Sequence, residues 1–409
     1  MSCSRRHLIG AGLAGTGLLA SLAGWRVALA GGNSPSPDRS HARLVLIVLR
    51  GGLDGLEAVP RPDDSQWLGL GRQAPPGTFP ISDGFALHPS LSPIHPWWSE
   101  GHLAVVPAVG QPAARRSHFD AQDLLEEGGA ALGAVSTGWL HRALVAVGTP
   151  DGGAAIGSGL PLVLRGEHGG GAASVDPSRE PEIDAETLAA VALLWKNDPV
   201  LSGALSEAGR ARSLASTAGD QGDAYDDGMG EAGGGKNSTA ATKAKAIVAQ
   251  AEGAGRLLAS TDGYRVAVLE GVGWDTHAKE STTLARLLGE LAHGLVALRT
   301  GLGSAWNDTI VVTTTEFGRT AKPNGTQGTD HGTGTSVFLA GGALRGGRVL
   351  GDWPGLANLF EDRDLSVATD MRSVFKGVLH EHLGISREQL DQDVFPGSAD
   401  VAGLTRLLI

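Results

Sequence analysis

The 409-residue chain has one cysteine, Cys3, and it lies in an N-terminal stretch with the character of a leader. The remainder can form no internal disulfide and offers no thiolate nucleophile or ligand, so any metal has to rest on His, Asp and Glu. Basic residues are also scarce. The 33 Lys and Arg face 44 Asp and Glu, a formal charge of −11 that becomes −14 once Arg5, Arg6 and Arg26 leave with the leader. So acidic a chain lacks the footprint for holding nucleic acid. Neither a Walker loop nor a G-x-G-x-x-G opening a helix after the first strand occurs, which argues against a nucleotide-binding protein. What the chain does have is 41% hydrophobic residues, enough to bury a substantial core.

A strongly apolar membrane span is missing from the N-terminus. The uncharged run Leu8 to Gly24 is seventeen residues long and contains five glycines, a poor span where ~20 apolar residues are needed. Arg5-Arg6 before it, Arg26 after it and the small-x-small Ala28-Leu29-Ala30 suit a twin-arginine export signal cleaved near Ala30. Its partner is then the twin-arginine export machinery, and its destination the periplasm or the exterior. "GGNSPSPDRSHA" (31–42) has linker composition, and a single domain should run from Arg43 to Ile409. Acids, glycines and small residues at 205–245 predict a surface insertion with a mobile Gly-rich stretch at 228–236.

Within the domain, a fully apolar strand is expected at 44–49 and further strands at 103–110, 160–164, 264–269, 309–314 and 336–342. Helical patterns lie at 118–127, 137–147, 185–195, 240–260, 281–300 and 370–383. The alternation predicts an α/β fold, a mainly parallel central sheet flanked by helices. In such sheets ligands bind past the C-terminal strand ends, and the notable polar residues fall there.

Asp54 sits in "GGLDGL", either an Asp-Gly turn or a metal ligand. Ser117, followed three residues on by Asp120, reads as a helix cap resembling a capping box, or as a nucleophile or anion-site residue beside Arg115 and Arg116. Asp275 and His277, two apart in a loop, can converge on one divalent cation or form a solvated pair. Asp330-His331 lies among Gly328, Gly332 and Gly334, which free the backbone to bring both side chains to a site. Glu316 and Arg319 could be an ordinary ion pair closing a loop.

Together "LVLIVLRGGLDGL", "RRSHFDAQDLLEEG", "TGWLHRAL", "GWDTHAKE", "VVTTTEFGRT", "TDHGTGTSVFLAGG" and "ATDMRSVFKGVLHEHLG" resemble an exported bacterial family, domain of unknown function 1501, over most of 43–385. That family is similar in fold to alkaline phosphatases and sulfatases. The resemblance implies a three-layer architecture and a metal-dependent hydrolase acting on a small anionic phosphate or sulfate ester. It implies one or two divalent ions (Zn, Mn, Mg or Ca) on some of Asp54, Asp275, His277, Glu316, Asp330 and His331. Ser117 would be the nucleophile, His118 a ligand or general acid, and Arg115, Arg116 or Arg319 would bind equatorial oxygens. "TTTEFG" aligns with a stretch that usually reads Thr-x-Asp-His-Gly, so Phe317 stands where an imidazole is expected, and the Asp275/His277 spacing is compressed. Both departures support an alternative, a non-catalytic or ligand-binding relative acting in the cell envelope.

Overall fold

The computed structural model describes residues 39–409 except 158, 168–171, 176–183, most of 199–236, and 261–262. The leader, most of the linker and most of the 205–245 segment lie outside the described residues. In chain order the main elements are β1 (Arg43–Arg50), β2 (Leu103–Gly110), α1 (His118–Glu127), α2 (Trp139–Ala146), β3 (Gly153–Ile156) and β4 (Ala173–Val175). There follow α3 (Ala185–Trp195), α4 (Asn237–Ala259), β5 (Val266–Val272), α5 (Glu280–Leu302), β6 (Thr309–Thr315), β7 (Thr335–Ala340), β8 (Arg348–Val349), β9 (Thr369–Asp370) and α6 (Met371–Leu383).

The sheet order is β8-β2-β7-β6-β1-β5-β3-β4, with β9 also against β2. Strand β7 runs antiparallel to β2 and β6, and every other pairing in this sheet is parallel. The continuous hydrophobicity of β1 has a direct cause. Val45, Ile47 and Leu49 pack into one core with α4 and α5, while Leu44, Leu46 and Val48 pack into a second with α2 and α6. Both faces are covered, so the strand has no polar side and the molecule has three layers, as expected. Truncating one of these central leucines to Ala should cost about 2–5 kcal/mol.

The expectation of a strand at 160–164 is overturned. Leu162–Leu164 is a 3-10 turn. Its backbone partners lie off the sheet: Val163 N–H donates to the buried Glu126 carboxylate at 2.8 Å, and Arg165 C=O accepts from Gly138 at 2.9 Å. The run is apolar because Val163 and Leu164 are buried against the second core, and the strands of this region are β3 and β4 instead. Helix α4 begins at Asn237, inside the segment assigned to the insertion.

The topology sets up the site. The parallel strands β1, β2, β5 and β6 end at one edge, and antiparallel β7 begins there, so the 316–334 connection returns across that edge. The residues after β2, β5 and β6 and before β7 are thereby brought together.

Candidate metal centre

Three imidazoles and one carboxylate meet at this edge. His118 opens α1, Asp275 and His277 follow β5, and His331 precedes β7. Nε2 of His277 lies 2.9 Å from Asp275 Oδ1, Nε2 of His331 lies 3.1 Å from the same oxygen, and Nε2 of His118 lies 3.5 Å from Asp275 Oδ2. The Nε2 atoms of His277 and His331 are 3.0 Å apart.

The other face of each ring explains which nitrogen points inward. Nδ1 of His118 meets Glu316 Oε1 at 3.0 Å, Nδ1 of His277 meets Asp330 Oδ1 at 3.1 Å, and Nδ1 of His331 meets the Arg116 carbonyl at 2.7 Å. All three partners are oxygen acceptors, so Nδ1 is placed to donate and Nε2 faces inward, with its lone pair free when the ring carries a single proton. Two such lone pairs at 3.0 Å repel unless a cation or a proton lies between them.

Glu316 is wholly buried, and its Oε1 also accepts from Gly51 N–H at 2.8 Å and Gln122 Nε2 at 3.0 Å, while Oε2 accepts from the Thr315 hydroxyl at 3.0 Å. Asp330 is steadied by Asn324 Nδ2 at 3.2 Å, and that bond, with His277, holds its carboxyl below the usual range despite the opposing cost of burial. Arg319, 1% exposed, donates to Asp275 Oδ1 at 2.7 Å, to Gly51 C=O at 3.1 Å and to the Thr329 hydroxyl at 3.2 Å. Partial burial disfavours the Asp275 anion, but the Arg319 hydrogen bond and the charges of His277 and Arg319 outweigh it and keep that carboxyl low.

The cluster has the residues to hold a metal ion. Four ligands at about 2.0–2.1 Å in a tetrahedron stand about 3.3 Å apart; His118, Asp275 and His331 each offer one ligand atom within 4.8 Å of the others, and His277 Nε2 lies 2.9 Å from Asp275 Oδ1 and 3.0 Å from His331 Nε2. Imidazole and carboxylate are the donor set that zinc and manganese take. Carboxylates and a carbonyl at Nδ1 are the outer partners such histidines require.

Several assignments change. Asp54 does not join the cluster: it caps the Gly55–Ala58 turn, accepting from Glu57 N–H at 3.0 Å, and pairs with buried Arg72 at 2.8 Å. Glu316 and Asp330 hold His118 and His277 instead of being placed as ligands, and Arg319 is a buried brace for Asp275 with no face toward an ester. Arg116 is occupied by Asp364 at 2.7 Å and Glu361 at 2.6 Å. Ser117 is the N-cap residue of α1, yet its hydroxyl makes no capping hydrogen bond, so the capping-box expectation fails and the exposed side chain is left at the helix N-terminus. Arg115 is exposed nearby. Gly328 serves close approach more than flexibility, since a Cβ there would stand 2.2 Å from the carbonyl carbon of His277.

Sequence reasoning missed Gln122, Asn324, Arg72 and Glu280. Gln122 falls one turn after His118, a spacing that places both on one helix face, which is the signal that could have found it. Arg72 had none. Buried Asp54 and Glu280 and half-buried Glu57 surround Arg72, and burial, with the Asp54 charge, raises Glu57 to about 7 and Glu280 to about 8.

Fold and site together define a three-layer α/β protein with a candidate His/Asp metal centre at the carboxyl edge of its sheet. The sequence model of the family described as "Protein of unknown function (DUF1501)" matches residues 41–394, and the chain belongs to that family. No curated protein matches the sequence. Similar solved structures include the C-terminal periplasmic domain of EcEptC from Escherichia coli in complex with Zn, at 9% identity and TM-score 0.34, covering 74% of this chain and 73% of that one. Another is the phosphonate monoester hydrolase of Agrobacterium radiobacter, at 13% identity and TM-score 0.36, covering 84% of this chain and 74% of that one. At these scores the superposition is loose and assigns no chemistry to the chain.

Proposed function

We propose that the protein is a metal-dependent hydrolase of small phosphate or sulfate monoesters that binds one divalent ion through His118, Asp275, His277 and His331. The observation that carries this reading is the set of three imidazoles, each with Nδ1 held by an oxygen acceptor and Nε2 turned toward Asp275. A single ion is favoured because Asp54, the residue expected to extend the site, is neutralised by Arg72. When bound, the ion supplies Lewis-acid polarisation of an ester oxygen.

The chain's own residues do the rest. Neutral imidazoles and one carboxylate leave a divalent ion with a net positive charge, so the site attracts an anion. Arg115 and the free N–H groups at the start of the ten-residue α1 add to that attraction. Ser117, exposed at the same helix N-terminus and adjacent to His118, offers the nucleophilic hydroxyl. Phe317 packs against His118 and His331 with ring centroids 5.0 and 4.8 Å away and helps fix the orientation of both imidazoles.

Export by the twin-arginine route belongs to the same proposal and rests on Arg5-Arg6 and the run to Ala30. Among the described residues no helix is long and apolar enough to cross a membrane.

The test is hydrolysis of a panel of phosphate and sulfate monoesters by metal-stripped and metal-restored protein, with Ser117→Ala and His331→Ala beside the parent. Metal-restored activity that His331→Ala abolishes supports the proposal. Metal binding with no turnover of any ester would leave the envelope-binding alternative in its place.

A further inference from the structure

Beside the centre lies an open groove of about 350 Å³ whose lining includes Ala113, Arg115, Phe317, Thr333, Phe360 and Val367. It is continuous with the site. Phe317 both lines the groove and packs on the rings of His118 and His331. Thr333 is two residues from His331, and Arg115 is two from Ser117.

Its lining combines two chemistries. Arg115 is cationic and Phe317 packs on the imidazoles, while Phe360 and Val367, exposed at 40% and 41%, are large apolar side chains in contact with solvent. A volume of 350 Å³ exceeds a bare phosphate or sulfate and is of the size that small-molecule ligands fill. Two phenyl rings among the lining residues favour a flat apolar group, which gains ring contacts as well as burial.

We infer that this groove binds the alcohol portion of the ester, and that the substrates are monoesters of a ring-bearing, largely apolar alcohol. The inference rests on the proposed function, because the groove takes its polarity from the anion site beside it. The anionic head lies at the metal and Arg115, and the ring runs over Phe317 toward Phe360 and Val367. Esters of short alcohols leave these apolar walls wet.

The experiment is equilibrium binding of two non-hydrolysable anions, phenylphosphonate and methylphosphonate, to the metal-loaded protein by calorimetry. Their heads are alike, so the ratio of their affinities reports the groove alone. Phenylphosphonate should bind at least about tenfold tighter, as expected for burying most of one ring. Ala113→Trp, which fills the groove, and Phe360→Ala, which removes one wall at a half-exposed position, should each bring the ratio toward one while leaving methylphosphonate binding unchanged. Equal affinities in the parent overturn the groove inference and leave the proposed function standing. Failure of both phosphonates to bind overturns the anion site, and the groove inference with it. A preference for phenylphosphonate that survives both variants also overturns it.

Discussion

Replacing Glu316 with Gln isolates the outer support of the centre. Glu316 Oε1 faces His118 Nδ1 at 3.0 Å while also accepting from Gly51 N–H and Gln122. A glutamine can place its amide oxygen where Oε1 now stands and go on accepting from those donors, so Glu316→Gln removes the charge while largely preserving the shape. Carboxylate and ion would be about 7 Å apart through the imidazole. At an effective dielectric near 20 the attraction of a 2+ charge over that distance has an upper limit of about 5 kcal/mol. Loss of such outer partners typically weakens metal binding 10–100-fold, about 1.4–2.7 kcal/mol, and we expect that range. Glu316→Ala is less informative: it strands the Gly51 and Gln122 donors at about 1–3 kcal/mol each, mixing folding with metal loss. The assay is zinc titration against a competing chromophoric chelator, with urea unfolding of the metal-free proteins as a control. Parent and Glu316→Gln affinities within twofold of each other would refute the assignment of Glu316 as the partner of a metal-bearing His118.

Three further outcomes follow from the geometry. Asp54→Asn should destabilise the fold by at most about 3–5 kcal/mol, because a buried pair with Arg72 is broken and Glu57 and Glu280 are left to compensate; metal stoichiometry measured by atomic emission should stay unchanged, whereas loss of metal would restore Asp54 as a ligand. Glu280 is raised from 4.5 to about 8 by burial and by Asp54, with Glu57 also raised and Arg72 opposing, so the folded protein keeps a proton the unfolded chain has released. Stability should therefore fall as pH rises from about 4.5 to about 8, and Glu280→Gln should flatten that slope in chemical denaturation; an unaltered slope contradicts the burial of an acid there. Gly51 has φ +125° and a Cβ there would meet Asp275 N at 2.3 Å, so Gly51→Ala should cost at least about 1–3 kcal/mol of stability and displace Asp275. Metal affinity should fall at least about tenfold with it, and full affinity in a folded variant would show that the Asp275 loop is not held where we place it.

The sheet was legible because β1 and β2 are buried along their length and read as apolar runs, and because α2 and α6 carry their apolar residues at helical spacing. The segment at 160–164 was misread for the same physical reason: burial produces an apolar run whether or not the backbone pairs in a sheet. Of the site, Asp275, His277 and His331 were visible as acid and imidazole residues in loops at strand ends, and His118 through its place at a helix start. What could not be read was the division of labour among them. Asp54, Glu316 and Asp330 are all acids near glycine, and only the positions of Arg72, His118 and His277 in space decide that one closes an ion pair and two orient imidazoles. Arg319 is similar, since "TEFGRT" gives no sign that its guanidinium is buried beneath Asp275 and faces away from any substrate.

Whether three imidazoles and Asp275 together hold one divalent ion is decided by X-ray absorption spectroscopy on zinc-loaded protein. One tightly bound zinc per chain with three imidazole nitrogens and an oxygen at about 2.0–2.1 Å is expected, with one imidazole lost in His277→Ala. Substoichiometric zinc, or a shell of oxygens without imidazole scattering, would contradict it.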